Sequence, residues 1–286
     1  MLFLRYRTFV LSFCIVTAIL TLNGCNSGFL CSKGMIATEQ KSLITIAFIV
    51  MLFIIIPVFF MTFLFVMRYR KSNINSNYDP TWSHSNIIEL LAWGFPIVII
   101  IFLSILSWKS THDLDPKKRI FSNVAPIKIN VVSLDWKWLF IYPNEKIATI
   151  NELVFPVNTP VIFELTSNSA INSFFIPSLG SQIYAMAGMR TTLNLIANQF
   201  GTYKGISANY SGHGFSNMKF KTIVTPNISL FKSWIYKVRN SEHHLSSFLS
   251  FKKIAIPSEN NIIKYYSDVK DNLFTLILES NKYLKK

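Results

Sequence analysis

The chain reads as a membrane α plus β protein: two transmembrane helices, then a β-sandwich, then a short helical C-terminal extension. Three observations predict this. The runs Ser42 to Met67 and Leu90 to Trp108 are apolar and hold no charged residue. From Pro126 the hydrophobic period shortens to two, and after Pro226 it lengthens again to that of a helix. Composition agrees: 51% of the 286 residues are hydrophobic and 15% are charged, where soluble proteins carry about 25% charged residues.

A first, shorter apolar stretch precedes the two runs. Thr8 to Leu22 follows Arg5 and Arg7 and leads into Leu22-Asn23-Gly24-Cys25. This is the order of a bacterial secretory signal: a positive region, an apolar region, then small residues before a cut. It resembles a lipoprotein signal, which implies that Cys25 becomes the mature N-terminus and carries acyl lipid such as palmitate. Asn23 stands where that pattern has a small residue. The alternative is an uncleaved third span, for which about 15 apolar residues are short.

At about 1.5 Å per residue, a helix over Ser42 to Met67 exceeds the roughly 30 Å hydrocarbon core and crosses it with some tilt. Pro57 is tolerated there because neighbouring helices can satisfy the freed carbonyl. Arg68, Arg70 and Lys71 close this span; Glu89 opens the second and Lys109 ends it. The positive-inside rule does not orient the pair, since Lys109, Lys117, Lys118 and Arg119 oppose the first basic cluster. The signal does. A lipidated Cys25 is outside, two crossings return the chain outside, and everything from about His112 onward faces the periplasm of a bacterial inner membrane. Cys14 leaves with the signal, and Cys31 stays as an incidental thiol near the membrane surface. The domain plan is 1–24 signal, 25–111 lipid-anchored two-helix domain, 112–226 outer sandwich and 227–286 extension. The net charge of +14 does not point to nucleic acid, because the lysines are scattered and no groove of alternating aromatic and basic residues occurs.

In the outer domain Ile127, Ile129 and Val131 alternate with Lys128 and Asn130. Val161, Phe163 and Leu165, then 192–197 and 218–222, repeat the theme between turn residues such as Pro156, Asn158, Pro160, Gly180, Gly188 and Gly201. Short alternating strands at this spacing argue for an antiparallel sandwich or barrel. Beyond Pro226, Phe231, Trp234, Ile235 and Val238 fall on one helical face, and Phe274, Ile277 and Leu278 read the same way. This tail is expected to pack on the sandwich or on a neighbour.

Separated motifs then carry a resemblance over nearly the whole mature chain. Trp82-Ser-His-Ser-Asn-Ile-Ile-Glu89 with Trp93 and Pro96, Asp135-Trp-Lys-Trp138, Thr166-Ser-Asn-Ser-Ala-Ile-Asn-Ser-Phe174, Leu179-Gly-Ser-Gln182 and Ala185-Met-Ala-Gly188 occur in one order. Together they resemble subunit II of the haem-copper respiratory oxidases. The resemblance implies a cupredoxin-like sandwich. In the cytochrome c oxidases of that superfamily this domain holds a dinuclear copper centre built from two Cys, two His, a Met and a backbone carbonyl. Matched residue by residue, the His positions are Asn172 and Phe215, the Cys positions Ser207 and Ser211, the carbonyl position Asn209, and the Met position Met218. No cysteine follows Cys31, and copper of the electron-transfer kind needs thiolate and imidazole that serine and phenylalanine do not supply. Met218 is left to pack the core, and His213, at none of these positions, reads as a solvated loop residue.

A copper-free subunit II with such an extension is similar to that of the cytochrome bo-type ubiquinol oxidases. That implies no cofactor in this chain, with haems and copper in a partner subunit I, subunits III and IV alongside, ubiquinol reached through the complex, and no docking of cytochrome c. It also implies a role for Glu89 at the mouth of a proton pathway into subunit I. Membrane ionisable groups are functional candidates by default, although a first-turn carboxylate also gains about 0.3 to 1 kcal/mol from the helix dipole alone. Trp136 and Trp138 are expected in the sandwich core or in the contact with subunit I. The chain is not expected to be catalytic alone. The competing class is a free-standing, copper-free lipoprotein binding module, which would need no membrane-edge carboxylate.

Overall fold

The computed structural model describes residues 31–73 and 81–283. The signal segment, with Cys14 and Cys25, lies outside the described residues.

Helix α1 (Met35–Arg68) starts about two turns ahead of the apolar run and passes through Pro57. Its early start has a packing cause: Ile36 and Ala37 are buried, and Ile36 joins the core of the sandwich. Helix α2 (Asn86–Asp113) carries Glu89 in its first turn and Pro96 inside. Along their apolar windows both helices are almost wholly exposed in the single chain. Helices apolar on every face belong in lipid or against other spans.

The sandwich consists of β1 (Ile127–Leu134), β2 (Lys137–Tyr142), β3 (Ile147–Ile150), β4 (Glu152–Pro156), β5 (Val161–Ser167), β6 (Asn172–Phe175), β7 (Gln182–Ala185), β8 (Thr191–Leu195), β9 (Gly201–Ser207) and β10 (Lys219–Thr225), joined by β11 (Lys264–Tyr266) from the extension. One sheet runs β11-β3-β2-β1-β5-β8 and the other β4-β10-β9-β6-β7. β1 pairs with β5, and β4 with β10, in parallel; the remaining pairs are antiparallel.

Between the sheets lies an aromatic core. Phe174 and Phe220 stack with centroids 5.1 Å apart, and Trp138 meets Phe174 edge-on at 5.4 Å. Gly205 stands opposite Phe220 in the ladder, and a Cβ there would fall 2.0 Å from the Phe220 ring. The ring therefore lies over a residue that must have no side chain.

A second core covers the outer face of the six-stranded sheet. Trp138, Phe140 and Tyr142 of β2 point into the first core, while Leu139 and Ile141 point into the second. The extension supplies the cover. Helix α3 (Ile228–Arg239), capped by Asn227, which accepts from the Leu230 amide at 3.0 Å, instead buries Phe231, Ile235 and Val238 in the first core. Helix α4 (Phe248–Ala255) buries Phe251; helix α5 (Leu273–Tyr283) brings Leu273, Phe274 and Ile277 into the second core. The extension is thus helical only in part: β11 lengthens the sheet by pairing with β3.

The anchor and the sandwich meet at a tight joint. The Lys33 amide donates to Ser178 O at 2.7 Å and the Ala37 amide to Leu179 O at 3.1 Å. A Cβ on Gly34 would stand 2.8 Å from Ile196 O, and one on Gly180, whose φ is +87°, would stand 2.7 Å from the Ala37 nitrogen.

Candidate functional site

β6 begins at Asn172 and β9 ends at Ser207, and the pairing of these strands brings the two residues together at one end of the sandwich. The Ser207 hydroxyl donates to Asn172 Oδ1 at 2.9 Å and lies 3.3 Å from Asn209 O. Asn209 Nδ2 donates to Ile171 O at 2.8 Å, and Asn172 Nδ2 to Ala170 O at 3.2 Å. Asn172, Ser207 and Met218 are buried, Met218 within the inner core. Ser211 Oγ approaches Met218 Sδ at 4.0 Å. A short 3₁₀ turn, His213–Asn217, carries Phe215, whose ring meets Tyr210 edge-on at 5.7 Å. The structure therefore joins Asn172, Ser207 and Asn209 in one hydrogen-bonded group and sets Ser211 against Met218, leaving Phe215 to an aromatic contact.

Chemically this group offers amide and hydroxyl oxygens with one thioether. Those donors do not fit electron-transfer copper, which takes thiolate and imidazole. Among the described residues no cluster of three or more His, Cys, Asp or Glu side chains could hold a metal.

Two residues, Trp136 and Glu259, hold the loop. Trp136 adopts a left-handed backbone, φ +61°, and its Nε1 donates to Ser211 O at 3.1 Å. Its ring fills the space a side chain at Gly214 would need: a Cβ there would lie 2.5 Å from Trp136 Cγ. Trp136 is half-buried, whereas Trp138 is wholly buried. Beside it, Glu259 of the extension meets His213 Nδ1 at 2.6 Å; this carboxylate holds the otherwise exposed imidazole above its usual pKa.

Sequence reading missed the fastening of the extension. Lys137 Nζ donates to Ile256 O at 2.8 Å and to the Ser258 hydroxyl; burial pushes its pKa down, while Asp135 pulls the other way. Asn151 Nδ2 reaches Asn261 O at 3.1 Å. Glu152, buried in β4, accepts at Oε1 from Trp234 Nε1 at 3.0 Å and from the Tyr265 hydroxyl at 2.7 Å. Burial first, then the bond to Glu152, pushes the Tyr265 pKa up to about 12. The available signal was a lone carboxylate in the apolar run Glu152-Leu-Val-Phe-Pro156, since a buried charge needs partners.

Glu89 lies far from these loops, in the first turn of α2, where its amide donates to Ser85 O at 3.0 Å. Its side chain is exposed on the single chain.

Two helices able to cross a membrane, bearing a two-sheet sandwich with a ligand-frame loop at one end, define the class of membrane-anchored, cupredoxin-like subunit II proteins. Residues 124–225 match the family model described as cytochrome c oxidase subunit II, periplasmic domain, and residues 239–285 match the COX aromatic rich motif. The chain is 60% identical to cytochrome bo(3) ubiquinol oxidase subunit 2 of Buchnera aphidicola subsp. Baizongia pistaciae, over 96% of each chain. It is 51% identical to the protein of that name from Pseudomonas putida, over 91% of this chain and 82% of the relative. Quinol oxidase subunit 2 of Bacillus cereus is 36% identical over 81% of this chain and 80% of its own length. The chain belongs to the subunit 2 family of the cytochrome bo(3) ubiquinol oxidases.

Proposed function

We propose that the chain serves as subunit II of a terminal oxidase that oxidises ubiquinol, reduces oxygen to water and pumps protons. Its own part is structural support and a proton-pathway entrance at Glu89. It takes up no copper and docks no cytochrome c; haems and copper reside in subunit I, with subunits III and IV beside it. Cys25 adds a lipid anchor at the outer leaflet. The observation that carries the copper-free reading is the bond from the Ser207 hydroxyl to Asn172 Oδ1, which satisfies two frame positions with each other. Electrons from a membrane quinol have no need of a relay through this domain. Support for Glu89 comes from its place at the end of a membrane-crossing helix, exposed where another subunit can cover it. Ionisable groups in membrane helices are functional candidates by default, although the helix dipole also stabilises a first-turn carboxylate.

The test is to purify the tagged chain from its native membranes and record oxygen uptake with a reduced ubiquinol analogue. Cyanide-sensitive uptake with co-purifying haem is expected. A chain that purifies alone, without haem or uptake, overturns the proposal in favour of a free-standing lipoprotein module.

A further inference from the structure

At the sandwich end of the two helices, under the segment that links α2 to β1, the chain forms a cleft of about 620 Å³. Its floor is apolar, made by Leu43 and Ile46 of α1 and Leu106 of α2. Its rim is charged, with Glu39 from α1, Lys109 and Asp113 from α2, and Asp115, Lys118 and Arg119 from the linking segment. The cleft therefore straddles the level at which the apolar runs end and charge begins, the boundary between hydrocarbon and headgroups. Phe121 forms the lip, and at 94% exposure its ring lies bare beside Arg119.

The charges at the rim select among occupants. Lys118 is already matched by Asp113 at 3.0 Å, whereas Asp115 Oδ1 accepts only the neutral Lys117 amide, at 2.9 Å, and keeps its charge. Lys109, Arg119, Glu39 and Asp115 form no ion pair among the described residues. Two cations, Lys109 and Arg119, and two carboxylates, Glu39 and Asp115, above an apolar groove match a ligand with a phosphate, an ammonium group and a hydrocarbon tail.

We propose that this cleft binds one glycerophospholipid whose headgroup is zwitterionic and ammonium-bearing. The phosphate sits between Lys109 and Arg119, whose guanidinium suits phosphate oxygens. The ammonium faces Glu39, an acyl chain follows Leu43, Ile46 and Leu106, and Phe121 covers the glycerol. A net-anionic headgroup would set a second negative charge beside Glu39. The acyl groups on a lipidated Cys25 carry no phosphate and would place no anion between the two cations. The inference does not rest on the oxidase reading, since it concerns only this chain and its bilayer.

The experiment is quantitative lipid mass spectrometry of the purified, tagged protein, with whatever subunits accompany it, after an extensive detergent wash. Wild type is compared with Lys109→Gln/Arg119→Gln and with Glu39→Gln, each checked for an unchanged thermal transition of the sandwich. Wild type is expected to retain an ammonium-bearing phospholipid, and the double variant to lose about one molecule per chain. Glu39→Gln is expected to exchange that lipid for an anionic one. Equal retention in wild type and double variant, or retention of only an anionic lipid by wild type, overturns the proposal.

Discussion

The hydroxyl of Ser207 and the side-chain carbonyl of Asn172 meet at 2.9 Å, although 35 residues separate them in the chain. Both are buried, so each is the other's substitute for water. Ser207→Ala is expected to leave Asn172 Oδ1 without its donor and to lower stability by about 1–3 kcal/mol. Exchanging both residues for apolar ones should cost less than the sum of the single changes. Chemical unfolding of the detergent-solubilised chain, followed by tryptophan fluorescence, measures the cycle; strict additivity would contradict the coupling.

Glu152 is the fastening point of the extension, with two donors converging on one oxygen. In Glu152→Gln an acceptor remains, whereas in Glu152→Ala the Trp234 and Tyr265 donors are both orphaned. The melting temperature is expected to fall in the order wild type, Gln, Ala, with the Ala variant losing about 1–3 kcal/mol per orphaned group that stays buried. The Tyr265 hydroxyl should also ionise at a lower pH in the Gln variant, because the carboxylate that raises its pKa is gone. Alkaline titration followed by absorbance, taken as a difference between the two proteins, checks this.

The contact between His213 and Glu259 is expected to hold the frame loop in a pH-dependent way. Its imidazole pKa is raised above the ordinary 6.5 by the Glu259 carboxylate. A raised folded-state pKa contributes stability that is fully present below the ordinary value and is lost as pH rises through the raised one. Hydrogen exchange over 211–217 should therefore quicken as pH climbs past that window, after correction for intrinsic rates. Glu259→Gln should remove the pH dependence, and an unchanged profile in that variant would refute this role.

Glu89→Ala is expected to slow quinol-driven oxygen uptake several-fold while the haem content of the purified complex stays unchanged. Glu89→Asp should retain more of the rate. Unchanged turnover of the Ala variant across the pH range would leave the carboxylate only its interaction with the helix dipole.

How far the sequence disclosed these features depends on which neighbours each residue has. The membrane runs stood out because lipid demands uninterrupted apolar residues, but the first turns of α1 did not, since Glu39 and Lys41 interrupt them while Ile36 and Ala37 face the sandwich. β1 was legible through Lys128 and Asn130. β2 and β3 were not, because two cores bury both of their faces and erase the polar half of the alternation. β11 is three residues long and pairs with a strand more than a hundred residues earlier, so no local pattern announces it. The frame positions emerged only through resemblance to a family, and their mutual contacts depend on strand pairing. Glu259 gave no local sign that it would meet His213.

The glycine contacts at Gly34 and Gly180 have a mechanical consequence. With backbone against backbone on both sides of the joint, little room remains for a swivel between membrane helix and sandwich. The outer domain is therefore expected to stand on the first membrane helix as a fixed mast rather than a tethered float.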